Sequence, residues 1–527
     1  MADRRQPMAP QVSSEPDPSP RPAIDVQIIA DPPDGPGRTR ARVLALVALG
    51  SATLGAVAAW HYGRLDLALS HYDARGHLVV ARRIIDSLTP GWRQVGAVWL
   101  PLPHLLNALP VQVDALYRTG ASAIALSVAS HAAACTALAY VVVRATGTPL
   151  LGVAAAAVLA ADPNVLYLQA TPMTEPLLLG LMLASVAFAY RWLADDDERA
   201  ARLTGLTLAG ACLTRYEAWP FTALLVGLAL LVRLSQTGRV PATLASMRPI
   251  VLAPFAAVVA FFLLSRATVG AWFVTGGFYV PDNAALGRPF LAAAAVWWGL
   301  RHVAGTATAA IGLLGLFAAG VYALRRRPIG PELLTWALVG CAALPWYAFV
   351  SGHPFRIRYM VVLTGAVAAG AGLGLGLLPR RARTASAVVL LALALVEAPP
   401  FSASAPMLLE AQWDRPYSIG RRAVTRCLVD GFRRPEEKVL ASMGSLAHYM
   451  HELSREGFAL RDFVHEGQGD LWDAALASPR RHVEWILFEE RAEGGDLLTA
   501  LRRERPSLVD GFARVCEGGG VALYRRR

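Results

Sequence analysis

The chain has 527 residues, 55% of them hydrophobic, a formal charge of +11 at pH 7 and a mean hydropathy of +0.40. That is more apolar surface than one soluble core absorbs, which excludes an ordinary soluble domain and points to a bilayer. Residues 400–527 hold 19 basic and 19 acidic side chains, so the charge surplus lies in the apolar portion. A nucleic-acid partner is excluded, because that would need a basic patch on a folded domain.

Residues 1–37 are rich in Pro, Asp and Ser and are expected to form a disordered cytoplasmic N-terminus. The first apolar run, at about 43–60, follows Arg38, Arg40 and Arg42, so the positive-inside bias puts its start in the cytoplasm. It begins too late and runs too long for an ordinary cleaved signal peptide, and is expected to stay as a transmembrane helix. Residues 61–118 then form a long external loop, with amphipathic stretches at 78–88 and 100–116 lying along the membrane interface.

Ten further apolar runs follow, at about 119–143, 149–161, 175–192, 203–214, 218–232, 249–268, 303–324, 332–350, 359–378 and 384–398. Since a span needs about 17–25 apolar residues, residues 38–399 read as a polytopic α-helical membrane domain of about eleven transmembrane helices. Arginine clusters such as Arg325-Arg326-Arg327 and Arg380-Arg381-Arg383 fall at one set of turns. The loop with Tyr279, Asp282 and Asn283 falls outside.

After Pro399-Pro400 the composition becomes that of a soluble domain. Residues 400–527 read as a small external α/β domain, with strands at 439–443 and 483–488 and helices at 448–456 and 496–503. A terminal hairpin, 509–515 with 521–525, turns at Gly518-Gly519-Gly520. Cys427 and Cys516 share this domain and are candidates to pair in an oxidising compartment. Cys135, Cys212 and Cys341 lie in apolar runs and act as small hydrophobes.

The unusual polar residues gather at the external turns: Tyr72-Asp73, Thr174-Glu175, Arg215-Tyr216-Glu217 and His353-Pro354-Phe355-Arg356-Ile357-Arg358. Charged groups at membrane depth are costly and need a cavity or partner, so they mark a candidate site. Asp73 is placed to act as a general base or hold a metal, or else to cap a helix. Glu175 heads an apolar helix, where an acid also complements the dipole and Thr174 can cap. Arg356 and Arg358 offer a guanidinium fork that suits phosphate, against the alternative of interfacial snorkelling. Arg215 and Glu217 form a candidate mutual pair. His77 lies in the first loop, and His104 ends the proline-kinked Trp99-Leu100-Pro101-Leu102-Pro103-His104. His131, mid-span, suits an interhelical hydrogen bond. No P-loop, GxGxxG, HExxH, GxSxG or CxxC spacing occurs in a credible context.

Taken in order, these motifs resemble the GT-C membrane glycosyltransferases, nearest the protein O-mannosyltransferase and lipid A aminoarabinose transferase group (glycosyltransferase family 39 type). Tyr72-Asp73 resembles that group's catalytic acid. The segment ending at His104 is similar to its His/Lys-Pro-Pro-Leu element, Thr174-Glu175 to its second-loop acid, and Arg356-Ile357-Arg358-Tyr359 to its late Arg-Tyr element. The resemblance covers roughly residues 40–400.

It implies transfer of a hexosyl or pentosyl group from a polyprenyl-phosphate donor to a hydroxyl of a glycan, lipid or protein acceptor at the external face. Asp73 and Glu175 are the implied catalytic residues, and Arg358 with Arg356 the implied phosphate ligands. Tyr72, His77, His104, Arg215, Glu217, His353 and Tyr359 are supporting candidates. It names no certain cofactor; a divalent cation at Asp73 is left open, although Asp73-Ala74 lacks a paired acid. The expected location is multi-pass in the plasma (inner) membrane, N-terminus cytoplasmic and C-terminal domain external or periplasmic. The rival readings are a polytopic transporter and a non-catalytic assembly partner for envelope glycans.

Overall fold

The computed structural model describes residues 36–96, 98–274, 283–433, 435–492 and 495–527. The expected disorder of 1–37 falls almost wholly outside the described residues, as do Tyr279 and Asp282 of the loop before Asn283.

Eight helices among the described residues are long and apolar enough to cross a membrane. They are Gly37–Arg64, Ala121–Thr146, Glu175–Asp195, Ala218–Thr237, Val240–Val269, Thr306–Arg325, Pro331–Val350 and Arg358–Gly376. A ninth candidate is Pro149–Ala161 with Pro163–Gln169, bent by 67°. Pro163 lacks the N–H that would continue the first helix. The Asp162 carboxylate instead caps the second, accepting the Asn164 and Val165 N–H groups at 2.9 and 3.1 Å.

The count differs from about eleven for physical reasons. The run at 203–214 becomes Glu198–Cys212, 15 residues with a charged first turn capped by Asp197, which is shorter than a full span. It packs between Glu175–Asp195 and Val240–Val269. The run at 384–398 becomes Arg380–Glu397, whose first turn carries Arg380, Arg381 and Arg383. A further helix, Pro289–Ala304, stands where the sequence suggests external loop alone.

Close packing relies on glycine where two helices meet. Thr306–Arg325 lies against Thr364–Gly376, and a Cβ on Gly370 would collide with the Gly312 carbonyl, one on Gly315 with the Gly370 carbonyl. This is the small-residue packing that membrane helices use in place of a hydrophobic driving force. The arginine turns meet one another at one end of the bundle. Arg144 pairs with Asp195 at 2.6 Å and Arg233 with Asp196 at 2.8 Å, and Arg383 donates to the Thr146 carbonyl at 2.9 Å.

The C-terminal region carries five strands: β1 Val439–Ala441, β2 Phe463–Val464, β3 Trp485–Glu489, β4 Phe512–Gly518 and β5 Val521–Arg526. Their order is β2-β1-β3-β5-β4. β1 runs parallel to β2 and β3, and the hairpin β4–β5 is antiparallel. β2 has two residues and no alternation to betray it in the sequence. A Cys427–Cys516 disulfide ties the helix Arg422–Gly431 to β4.

One expectation is corrected. The stretch at 78–88 does not lie open along an interface. Its start belongs to the helix Tyr72–Arg82, buried along nearly its whole length. Leu78, Val79 and Ala81 share a core with Met443, Leu446 and Met450 of the sheet region, so protein covers the apolar face that the sequence pattern assigns to lipid. The stretch at 100–116 does keep an open apolar face at Leu105, Leu106, Leu109 and Val113.

Candidate active site

Four segments converge where the buried helix Tyr72–Arg82 meets the bundle. The first turn of that helix brings Asp73. Glu175 heads the helix Glu175–Asp195, Arg215 and Glu217 occupy the turn before Ala218–Thr237, and Arg358 opens the helix Arg358–Val361. Asp73, Glu175, Glu217 and Arg358 are all buried.

The charges alternate in a chain. Asp73 Oδ2 accepts from Arg358 Nη1. Arg358 Nε stands 4.0 Å from Glu175 Oε1. That same oxygen lies 2.9 Å from Arg215 Nη1, and Arg215 Nη2 reaches Glu217 Oε1 at 2.8 Å. Three acids thus hold two arginines, a pattern that compensates burial only while every partner is present. Three polar atoms are left without a hydrogen-bond partner inside it, Glu175 Oε1 and Oε2 and Arg358 Nε. Buried groups of that kind call for an explanation, and an absent polar ligand supplies one.

Burial alone would raise the Asp73 carboxyl; the Arg358 charge outweighs it and holds the carboxyl well below the usual carboxylate range. Asp73 is therefore ionised and is a weak base as long as Arg358 stays on it.

Local capping departs from expectation. Thr174 precedes its helix without capping it; its hydroxyl accepts instead from Arg215 Nη1 at 3.0 Å. Asp73 is not the cap of its helix either. His71 is, with Nδ1 accepting the Asp73 backbone N–H at 3.1 Å.

His77 and His104 meet at 3.0 Å through Nδ1 and Nε2, with Trp99 against the His77 ring at 4.1 Å. Burial, then Arg83, pushes His104 down to about 3, so the two form a neutral pair. Together with Asn107, Ser127 and Thr174 they line a small cavity next to the charged chain. Tyr72 stacks on His71 at 4.8 Å. Tyr359 faces His353, hydroxyl to Nε2, at 3.4 Å, and its ring lies 5.4 Å from the Arg358 guanidinium carbon. Arg356 is placed differently, over the Trp413 ring at 5.0 Å, while Arg358 alone of the two holds Asp73.

Three groups escaped sequence reasoning. Glu410, on the short helix Pro406–Ala411, accepts the Ile357 N–H at 2.7 Å beside Arg358. His71 carried no signal beyond adjacency to Tyr72-Asp73. Arg75, two residues beyond Asp73, pairs with Asp414 at 2.7 Å and with Glu452, fastening the Asp73 helix to the C-terminal region. Nothing in the local sequence of 410, 414 or 452 distinguishes them from surface acids.

Among the described residues no three His, Cys, Asp or Glu side chains converge as metal ligands. Arg358 and Arg215 take the positive positions beside the carboxylates, so the residues present do not fit a resident cation.

A polytopic helical bundle with a small C-terminal sheet region is a GT-C-like fold. Two crystal structures share it across 90% of this chain and 98% of theirs. ArnT from Cupriavidus metallidurans in the apo state aligns with a TM-score of 0.56 at 15% identity, and ArnT from the same organism bound to undecaprenyl phosphate with 0.53 at 14%. No protein-family model and no curated protein sequence matches the chain.

Proposed function

We propose that this chain is an integral membrane glycosyltransferase that moves a sugar from a polyprenyl-phosphate donor to an acceptor hydroxyl on a glycan, lipid or protein. The observation that carries the reading is Arg358, buried between Asp73 and Glu175 with no hydrogen bond at Nε. A fold shared with an ArnT structure that holds undecaprenyl phosphate supports it.

In this reaction the acceptor oxygen bonds to the anomeric carbon as the bond from that carbon to the phosphate oxygen breaks. The bonding electrons leave with the lipid phosphate, and the hydroxyl proton passes to Asp73. Arg358 meets the charge growing on the phosphate, a stabilisation that acts most where charge develops. In leaning onto the phosphate it loosens its hold on Asp73. The carboxyl then rises from its depressed range and becomes a competent base at the moment the proton must move. Glu175, held by Arg215, keeps Arg358 in place from the other side. Tyr72, His77, His104, His353 and Tyr359 flank this centre, and Arg356 stands beside it over the Trp413 ring.

The same reading assigns residues 38–399 to the inner membrane, the N-terminus to the cytoplasm and residues 400–527 to the external face over the site. The test is transfer by the purified protein in liposomes loaded with a polyprenyl-phosphate sugar, read both as glycosylated acceptor and as released polyprenyl phosphate. Asp73→Asn should lower transfer by about 100-fold or more. Near-normal transfer by a well-folded Asp73→Asn protein overturns the role of Asp73. Binding without release of polyprenyl phosphate by the wild type points to a transporter or an inactive assembly partner.

A further inference from the structure

His71 and Glu410 face each other across a gap beside the Asp73–Arg358 pair. Each is anchored by one atom and presents the other. His71 Nδ1 accepts the Asp73 N–H at 3.1 Å. A backbone N–H only donates, so Nδ1 accepts in this arrangement and the ring proton sits on Nε2. That nitrogen points toward Glu410 Oε1 at 3.9 Å, beyond hydrogen-bond reach. Glu410 Oε2 is already engaged by the Ile357 N–H at 2.7 Å. His71 is 1% exposed, and neither His71 Nε2 nor Glu410 Oε1 has a hydrogen-bond partner.

A donor and an acceptor 3.9 Å apart fit one hydroxyl between them. Its oxygen, at about 2.8 Å from each atom, accepts from Nε2–H and donates to Oε1. Water meets the same requirement, but the anchoring says which hydroxyl the gap is built around. His71 is tied to Asp73, the group that faces the acceptor hydroxyl. Glu410 is tied to Ile357, next to Arg358, the group that faces the phosphate. In the transferred molecule the sugar ring lies between those two points.

We propose that His71 and Glu410 bind a ring hydroxyl of the transferred sugar and thereby select donors that carry it. This rests on the glycosyl-transfer reading above. It places a specificity element at the junction of the first external segment and the C-terminal region, far from either arginine motif in sequence.

The experiment compares wild type, Glu410→Gln and His71→Gln in liposomes, using polyprenyl-phosphate hexoses and pentoses and their singly deoxygenated counterparts. Glu410→Gln keeps the side-chain size and the acceptor for Ile357, while its amide can turn a second donor toward His71. For the wild type one deoxy position should lower kcat/KM by about 10- to 100-fold, the range for a hydrogen bond to a charged group. The variants should lose activity toward the full sugar by a similar factor and become indifferent to that same position. Losses at the other positions should stay as in the wild type. A merely structural role lowers all donors alike. If wild type and variants show the same loss at every deoxy position, the selection of a hydroxyl by this dyad is overturned while glycosyl transfer stands. If the wild type transfers no sugar from any of these donors, glycosyl transfer itself falls and the dyad's role falls with it.

Discussion

Asp73 and Arg358 lie 285 residues apart in the chain and share one buried ion pair. Each opens a helix. An acid in the first turn is favoured by the helix dipole, whereas an arginine there is opposed by it. Helix stability therefore accounts for Asp73 but not for Arg358, and the pairing supplies the reason that local structure does not.

The first prediction separates the two arginines of the late motif. Arg358 spans from Asp73 toward Glu175, a reach that needs the planar guanidinium and that a point charge cannot replace. Arg358→Lys should lower kcat and donor affinity together, by about 10-fold or more, in steady-state assays with a polyprenyl-phosphate sugar. Arg356→Lys, whose parent stacks on Trp413, should change either by less than about 3-fold, since lysine keeps the cation over the ring. Equal small effects at both positions would favour snorkelling and remove Arg358 from the chemistry.

The second concerns Arg215, which lies between Glu175 and Glu217. Arg215→Met leaves two buried carboxylates facing each other. Removing one partner of a buried charge pair costs about 3–5 kcal/mol, so the unfolding midpoint in detergent should drop clearly. Adding Glu217→Gln to Arg215→Met should restore part of the loss. A single variant as stable as the wild type would show that water or ligand screens these acids.

The third links packing to the site. Gly370 lies on the helix Thr364–Gly376, downstream of Arg358, and a Cβ there meets the Gly312 carbonyl. Backbone cannot yield as a flexible side chain does. Gly370→Ala should lower thermal stability and sugar transfer together, because pushing the helices apart displaces Arg358. Unchanged stability in Gly370→Ala would mean that this interface relaxes freely.

The fourth is a response to acid. Burial is the chief cause that pushes His104 and His448 down to about 3 and His451 to about 4. Each is neutral when folded, while the unfolded chain takes up a proton near 6.5. Between those values the unfolded state binds more protons, so stability falls as pH drops below about 6.5. Asp414, pulled down to about 2 against the effect of burial, first by His448 and then by Arg421, adds a loss of the same sign below its ordinary 3.8. Unfolding temperature measured from pH 7.5 to 4 should fall steadily. A flat profile would show that these histidines become solvated before the fold opens.

The fifth tests sidedness. Between Arg327 and Pro400 lie the span candidates Pro331–Val350 and Arg358–Gly376 and the helix Arg380–Glu397, whose 18 residues are long enough to cross as a third with the arginine turn on the cytoplasmic side. Reporter fusions after Arg327 and after Pro400 should report opposite faces, cytoplasmic and external. The same face for both would move the candidate site away from an external donor.

The sequence by itself determined the class of the protein and much of its layout. Hydropathy located the spanning runs because crossing a bilayer demands an unbroken apolar length, a local property. Arginine clusters marked one set of turns for an equally local reason, and alternation with turn glycines marked the β4–β5 hairpin. Periodicity could not settle helices near the length limit: 203–214 folds as the 15-residue Glu198–Cys212, 384–398 as an 18-residue helix with three arginines in its first turn, and Pro289–Ala304 passed as loop. It also assigned the face of Tyr72–Arg82 to the membrane, since an apolar stripe looks alike whether lipid or Leu446 covers it. The tertiary structure alone decided which charges meet: Arg358 with Asp73, Arg215 with Glu175, and Glu410 with the backbone beside Arg358. Those partners come from distant segments, and a buried charge is held by whichever group the fold brings within a few ångströms, something no local pattern records.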